Sequence, residues 1–154
     1  MMQRDDLIVR NAYESEAALL HEYDSRIFSD SWSEKSYLGS ICSSTELVPA
    51  AVDRETGEIA AFAAVSYVFD EANINRIAVR PEFRGKKTGT FLLEWIEENL
   101  PDEVTVINLE VRESNKYAIE MYENFGYTVL GRRKRFYRNP EEDALLMTKR
   151  KVDK

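Results

Sequence analysis

Histidine and cysteine are nearly missing from this chain, which has one His21 and one Cys42 in 154 residues. A lone cysteine excludes an internal disulfide, and with a single histidine it supplies no credible zinc set, so no metal is expected. His21 also falls off the apolar stripe of its helix and reads as a surface residue rather than a catalyst. Long apolar runs are missing too. None approaches the ~20 residues that cross a bilayer, and the opening Met1-Met2-Gln3-Arg4-Asp5-Asp6 is too polar for a secretory signal. The expectation is a cytoplasmic protein with no membrane partner. Only four prolines and six glycines are present. No linker, repeat or low-complexity segment stands out, so one domain over residues 1–154 is expected. Positive charge is short as well, with 21 Lys+Arg against 28 Asp+Glu and a net charge of −7. That balance argues against nucleic acid as a direct partner, since counterion release needs a dense cationic surface; an acidic surface suits cationic amines or basic protein tails.

Apolar residues are plentiful, at 44% hydrophobic with 11% aromatic, enough for a sizeable core. Hydrophobic spacing predicts a strand at Leu7–Val9 and a helix from about Glu14 to Ile27 with Ala18, Leu19, Tyr23 and Ile27 on its stripe. Ser33 can cap a second helix with Tyr37, Leu38 and Ile41 inward. Strands follow at Glu46–Asp53, with Pro49 marking a bulge or edge, at Ile59–Phe69 and at Ala72–Val79. Then come a helix ending near Leu100-Pro101, a strand at Val104–Arg112 and a helix at Asn115–Asn124 closed by Gly126. Strands Tyr127–Phe136 and Ala144–Lys149, joined by an Arg138-Asn139-Pro140 turn, complete a mixed α/β order. The run Arg132-Arg133-Lys134-Arg135 opposes the global charge; it reads equally as a solvated strand or as a patch for an anionic cofactor or a partner.

The most informative stretch is Ile77-Ala78-Val79-Arg80-Pro81-Glu82-Phe83-Arg84-Gly85-Lys86-Lys87-Thr88-Gly89-Thr90. A β-branched strand breaks at a proline into a cationic turn that opens directly into a helix. Successive amide N–H groups at such a turn converge on one spot, and the helix N-terminus adds partial positive charge, which makes a cradle for phosphate or pyrophosphate. The spacing Arg-x-x-Lys-x-Gly is neither a nucleotide-hydrolysing loop nor a dinucleotide fingerprint.

The loop instead resembles the Arg/Gln-x-x-Gly-x-Gly/Ala signature of the GNAT N-acetyltransferases. Downstream, Leu109-Glu110-Val111-Arg112-Glu113-Ser114-Asn115, Met121-Tyr122, Phe125-Gly126-Tyr127, Phe136-Tyr137 and Glu142 to Met147 follow in an order similar to the RimI-type ribosomal-protein alanine N-acetyltransferases. Trp32-Ser33-Glu34-Lys35 and Ala61-Phe62-Ala63 also fit, so the resemblance spans roughly Phe28 to Met147. It implies a mainly antiparallel central sheet with two splayed strands and about four flanking helices. It implies acetyl-CoA as donor, held at the cradle residues Arg84, Gly85, Lys86, Lys87, Thr88, Gly89 and Thr90. Main chain of Ile77, Ala78 and Val79 would lie against the pantetheine arm, and Asn115 would contact the cofactor. It implies Glu110 as general base and Tyr122 as the acid that protonates the leaving thiolate, with Trp32 and Tyr137 at the peptide groove. The acceptor would be a protein N-terminus, that of an Ala-initiated ribosomal protein.

Each of these residues also has an ordinary reading. Ile77, Ala78 and Val79 are strand core, Tyr122 sits at core-packing spacing beside Ala118, Met121 and Phe125, and Asn115 can cap its helix. Trp32 and Tyr137 can be edge packing. From pattern alone a strand Glu such as Glu110 is more often solvated or paired than catalytic; the motif match reverses that. Two departures from the family pattern stand out. Lys87 occupies the usual first loop glycine, so either the position is conformationally ordinary, or Lys87 is mildly strained there and its ammonium compensates at the phosphates; separately, Lys86 and Lys87 can be plain solvent-facing charges. Phe28-Ser29-Asp30-Ser31-Trp32 replaces a shorter, proline-containing entrance loop. The amine class is constrained by chemistry: near pH ~7.5 roughly a third of an α-amine is neutral, against about a thousandth of a lysine ε-amine. A weak carboxylate base therefore suits N-termini. Acetylation of lysine or small amines, and a non-catalytic acyl-CoA-binding module, are the alternatives.

Overall fold

The computed structural model describes residues 6–151. The polar segment 1–5, part of the stretch expected not to be a signal, lies outside them. The elements run β1 (Leu7–Asn11), α1 (Ala17–Ile27), α2 (Glu34–Cys42), β2 (Glu46–Leu47), β3 (Pro49–Asp53), β4 (Ile59–Val68), β5 (Glu71–Val79), α3 (Thr88–Asn99), β6 (Val106–Arg112), α4 (Lys116–Phe125), β7 (Thr128–Tyr137) and β8 (Glu142–Arg150). Short 3-10 turns precede α1 and α3. The strands form one eight-stranded sheet in the order β1-β3-β4-β5-β6-β8-β7, with β2 pairing beside β3 on β4. Every pairing is antiparallel except β5 with β6.

That exception shapes the molecule. The parallel ladder covers only Glu71 to Ile74 against Val106 to Leu109. Beyond it the strands part, leaving Ile77 to Val79 and Glu110 to Arg112 on opposite sides of a gap. A register shift between Ala64 and Val65 on β4 falls opposite Asn75. Because side chains alternate with period two, such an extra residue exchanges the faces of the strand. Ala72 and Ile74 accordingly join one core and Ala78 the other.

The larger core packs α3 and α4 against one sheet face through Leu92, Leu93, Ile96, Ile107, Leu109 and Tyr122. Each fully buried aliphatic side chain there contributes about 1.5–3 kcal/mol. The smaller core packs α1 and α2 on the other face through Leu20, Tyr37, Ile59 and Phe62. Ser33 caps α2 by accepting from the Ser36 amide at 3.0 Å, and Gly126 ends α4 at φ 110°, as the spacing predicts.

Several expected details move. The strand predicted over Glu46–Asp53 divides at Val48, although both pieces keep one register on β4, Leu47 against Val65 and Ala50 against Phe62; the break falls beside Pro49, which has no N–H to give to the ladder. Pro49 opens an interior strand rather than marking an edge, at the first-residue position where its missing N–H is tolerated. On α1 the expected Leu19, Tyr23 and Ile27 pack against the smaller core, whereas Ala18 is exposed and the fully buried positions are Ala17, Leu20 and Asp24. Leu38 is exposed as well, because α2 buries only Tyr37 and Ser40 fully.

Candidate active site

One side of the gap is built from main chain. Arg80 donates its amide to the Ala60 carbonyl at 2.9 Å, which fixes the phase of the β4–β5 ladder. Ala78 lies in that hydrogen-bonded phase, so its main chain faces β4, while Ile77 and Val79 turn theirs into the gap. Of the three residues expected along a pantetheine arm, Ala78 therefore contributes its strand pairing and not its amide. The Val79 carbonyl already accepts from Arg84 Nε at 3.1 Å, so the first cradle cation braces the strand end.

The cradle follows. Gly85 has φ 76° and Lys87, the N-cap of α3, has φ 61° and ψ 15°. Lys87 therefore occupies a left-handed conformation that disfavours a side chain, and the ordinary-conformation reading of that position is excluded. Lys86 leans over the Phe83 ring at 6.0 Å. Thr88 is buried and its hydroxyl donates to the Phe83 carbonyl at 3.2 Å, so its side chain closes the loop and only its amide can face a ligand. Gly89 is closely packed: a Cβ there would meet Met121 Sδ at 2.4 Å and Val79 Cγ2 at 3.3 Å, so a side chain would need Met121 to move. The free amides of the first turn of α3, including those of Gly89 and Thr90, point outward together. Asn115 caps α4, its Oδ1 accepting from the Ala118 amide at 3.2 Å, which leaves its side-chain NH2 for other partners.

Side chains build the opposite side. A cavity of about 1010 Å³ runs from Arg84 and Asn115 through the gap to Glu110, Tyr137 and Trp32. Glu110 projects from β6 on the face away from α3 and α4, half-buried, with Arg133 Nε 3.4 Å from its carboxylate. Tyr122 reaches the same cavity from α4, on the other face of the sheet, and is 3% exposed. Burial, with Tyr137 adding to it, raises the Tyr122 phenol above its ordinary range. Burial and the adjacent Glu110 likewise push Tyr137 up to about 12, against an opposing pull from Arg112. Both phenols keep their protons at physiological pH.

Several residues of this side were not singled out in the sequence. Arg112 donates to the Pro140 carbonyl at 2.9 Å, the Arg138 carbonyl at 3.0 Å and Ser29 Oγ at 3.3 Å, and lies 4.4 Å from the centre of the Tyr137 ring. It ties the β7–β8 turn to the loop between α1 and α2. Asp24, wholly buried, accepts from the Tyr37 hydroxyl and from the Trp32 amide at 3.0 Å. His21, expected at the surface, is part-buried, and its Nδ1 lies 2.7 Å from the Trp32 carbonyl, so it braces this loop. The available signals were Arg76 in the inward phase of β5 and Asp24 in that of α1, visible only once the phase was known. The basic run resolves into pairs: Arg132 with Glu113 and Asp143, Arg133 with Glu110, Arg135 with Glu141. Among the described residues no group of three or more His, Cys, Asp or Glu could hold a metal, and no helix is long and apolar enough to cross a membrane.

Residues 13–127 match the family model described as the Acetyltransferase (GNAT) family. The chain belongs to the GNAT acetyltransferase family. It is an N-acetyltransferase, and acetyl-CoA is the acetyl donor of the family. A ribosomal protein bS18-alanine N-acetyltransferase of Salmonella typhimurium (strain LT2) is 38% identical over 120 residues, 75% of this chain and 78% of that protein. The crystal structure of the ribosomal-protein-S18-alanine N-acetyltransferase from Escherichia coli superimposes with a TM-score of 0.84 at 28% identity, covering 96% of each chain. Arabidopsis thaliana NAA60, in complex with a bisubstrate analogue, has a TM-score of 0.85 at 17% identity over 96% of this chain and 99% of that one, a likeness of fold alone. The GNAT fold expected from sequence is thus the fold observed. The residues present suit an acyl-CoA: outward amides at the α3 N-terminus, positive-φ loop residues that open the turn, and two strand residues with main chain facing a gap.

Proposed function

We propose that this GNAT enzyme acetylates the α-amine of a protein N-terminus, with an Ala-initiated ribosomal protein as its substrate. The observation that carries the reading is the placement of Glu110 and Tyr122 on opposite faces of the sheet, opening into one cavity through the β5–β6 gap. Transfer of an acetyl group from a thioester to an amine needs a base on the amine's side and an acid on the sulfur's side. Acetyl-CoA supplies the activated acetyl group when bound. Cradle amides from Lys86 to Thr90 would hold its phosphates, with Arg84, Lys86 and Lys87 adding positive potential, while the Gly85 amide already donates to the Tyr117 hydroxyl at 3.4 Å.

The Ile77 and Val79 main chain lines the gap, where an amide N–H can stabilise a developing oxyanion. Glu110 accepts the proton of the acceptor ammonium, relayed by water. Tyr122, its proton secured by burial, donates to the departing thiolate. Trp32 and Tyr137 flank the mouth through which an extended N-terminus reaches Glu110. Two relatives named as ribosomal-protein alanine N-acetyltransferases support the choice of acceptor.

The test is a peptide panel read by tandem mass spectrometry. It contains an Ala-initiated ribosomal N-terminus, lysine peptides with blocked N-termini, and polyamines. Labelling of the Ala α-amine, strongly reduced in Glu110→Gln, is the expected result. Preferential labelling of lysine or a polyamine would overturn the N-terminal assignment.

A further inference from the structure

We infer that Arg76 is a positioning residue that holds the α1–α2 loop as one wall of the acceptor mouth, and so sets how tightly the acceptor is held. The inference rests on the acceptor side of the cavity being the one assigned above, and it deepens that reading. Arg76 stands on β5, just beyond the last residue paired with β6, and is 8% exposed. Its guanidinium gathers the loop from three directions. Nη2 donates to the Asp30 carbonyl oxygen, and Nη1 lies 3.6 Å from the Asp30 carboxylate. The Phe28 ring centre is 4.2 Å from the guanidinium carbon and that of Trp32 is 5.5 Å away. Behind it, Nη2 donates to Asp24 Oδ1 at 3.4 Å, and Nε lies 3.2 Å from Oδ2, off the line a hydrogen bond needs.

Asp24 in turn accepts the Trp32 amide, so both ends of the segment from Phe28 to Trp32 are fixed on one buried ion pair. A planar cation with fork donors and two stacking faces can do this; a lysine ammonium offers neither the fork nor the face. Phe28, Asp30, Trp32 and Arg76 all line the cavity that holds Glu110. None of them reaches the cradle, which is built from residues 84–90. The physical consequence is a split: loosening this wall costs acceptor binding and leaves donor binding alone.

Two variants separate that from a general structural role. Arg76→Met strands Asp24 as an unpaired buried carboxylate and risks the fold. Asp30→Ala removes a half-exposed carboxylate and leaves the Asp24 pair in place. In steady-state assays of thiol release, Asp30→Ala should raise the acceptor KM about fivefold, with kcat and the acetyl-CoA KM within about twofold of wild type. Folded Arg76→Met or Arg76→Lys should raise the acceptor KM about tenfold or more. Amide exchange at residues 29–33, where the Trp32 N–H is held by Asp24, should quicken in every variant. An unchanged acceptor KM in both Asp30→Ala and Arg76→Lys, or an acceptor KM that rises only together with the acetyl-CoA KM, would overturn the inference. The assay is run with whichever amine the panel selects. Labelling of lysine or a polyamine would then defeat the N-terminal reading, while the KM split still judges Arg76.

Discussion

In the proposed function, the donor and acceptor halves of the cavity are made in different ways. The donor half comes from one continuous stretch, the end of β5, the turn and the start of α3, and it works through main chain. The acceptor half gathers side chains from α1, the α1–α2 loop, β5, β6, β7 and the β7–β8 turn, and it works through charge pairs and rings. Main-chain recognition tolerates many sequences provided φ angles and close approaches are met, so Lys87 can stand where a glycine is usual. Side-chain recognition has no such tolerance. Arg76 and Arg112 each bind several partners that are distant in sequence, and a change at either is felt across the mouth.

The largest effect is expected at Tyr122, the proposed acid, a side chain that α4 adds to the gap from outside that continuous stretch. Tyr122→Phe should lower kcat by about 10²-fold or more while leaving acetyl-CoA affinity nearly unchanged, because only a transition-state proton is lost. Burial raises the phenol's pKa, so the acid stays protonated as pH rises. The sign follows: wild-type kcat should show no alkaline fall from this group up to about pH 10, the ordinary phenol value. A collapse of cofactor binding in the variant would return Tyr122 to a packing role, and near-normal turnover would remove it from the chemistry.

A smaller effect is expected in the cradle. Lys87→Gly relieves a left-handed side-chain conformation but loosens the unfolded chain, so the net change in stability should stay within about 1 kcal/mol. Loss of one exposed cation at the α3 N-terminus should weaken CoA binding only about two- to fivefold by calorimetry. Tighter binding would mean that strain at Lys87 outweighs its charge. In the same titrations CoA and dephospho-CoA should protect against thermal unfolding and pantetheine far less, since the cradle reads phosphates.

The same division governs what was legible in the sequence. The donor half was readable because its signal is local: strand, proline, cationic glycine-bearing turn and helix lie in order within residues 77–93. The alternation along Ile107 to Arg112 placed Glu110 on the polar face of β6, and Ser33, Asn115 and Gly126 announced the helix ends. Arg76 and Asp24 were hidden. The shift opposite Asn75 exchanges the faces of β5, so counting from Ala72 gives no guide to which core Arg76 enters. On α1 the expected Leu19, Tyr23 and Ile27 do face the core, but nothing in their spacing announced that Asp24 beside them is wholly buried. The division of the Glu46–Asp53 strand had one local sign, Pro49, whose missing N–H interrupts the ladder without changing its register on β4. Tyr122 shows the limit of pattern reading, since its spacing says core and its burial agrees, while its proposed role as acid rests on the cavity it lines beside the gap.

The placement of acid and base across the gap is tested most sharply by a crystal structure with a bisubstrate analogue in which CoA is joined through an acetyl group to the α-amine of an Ala-initiated peptide. The Tyr122 hydroxyl is expected within hydrogen-bond reach of the sulfur, the linked nitrogen on the Glu110 side of the β5–β6 gap, and the peptide leaving between Trp32 and Tyr137. A peptide emerging on the α3–α4 face, or a sulfur out of reach of Tyr122, would contradict that placement.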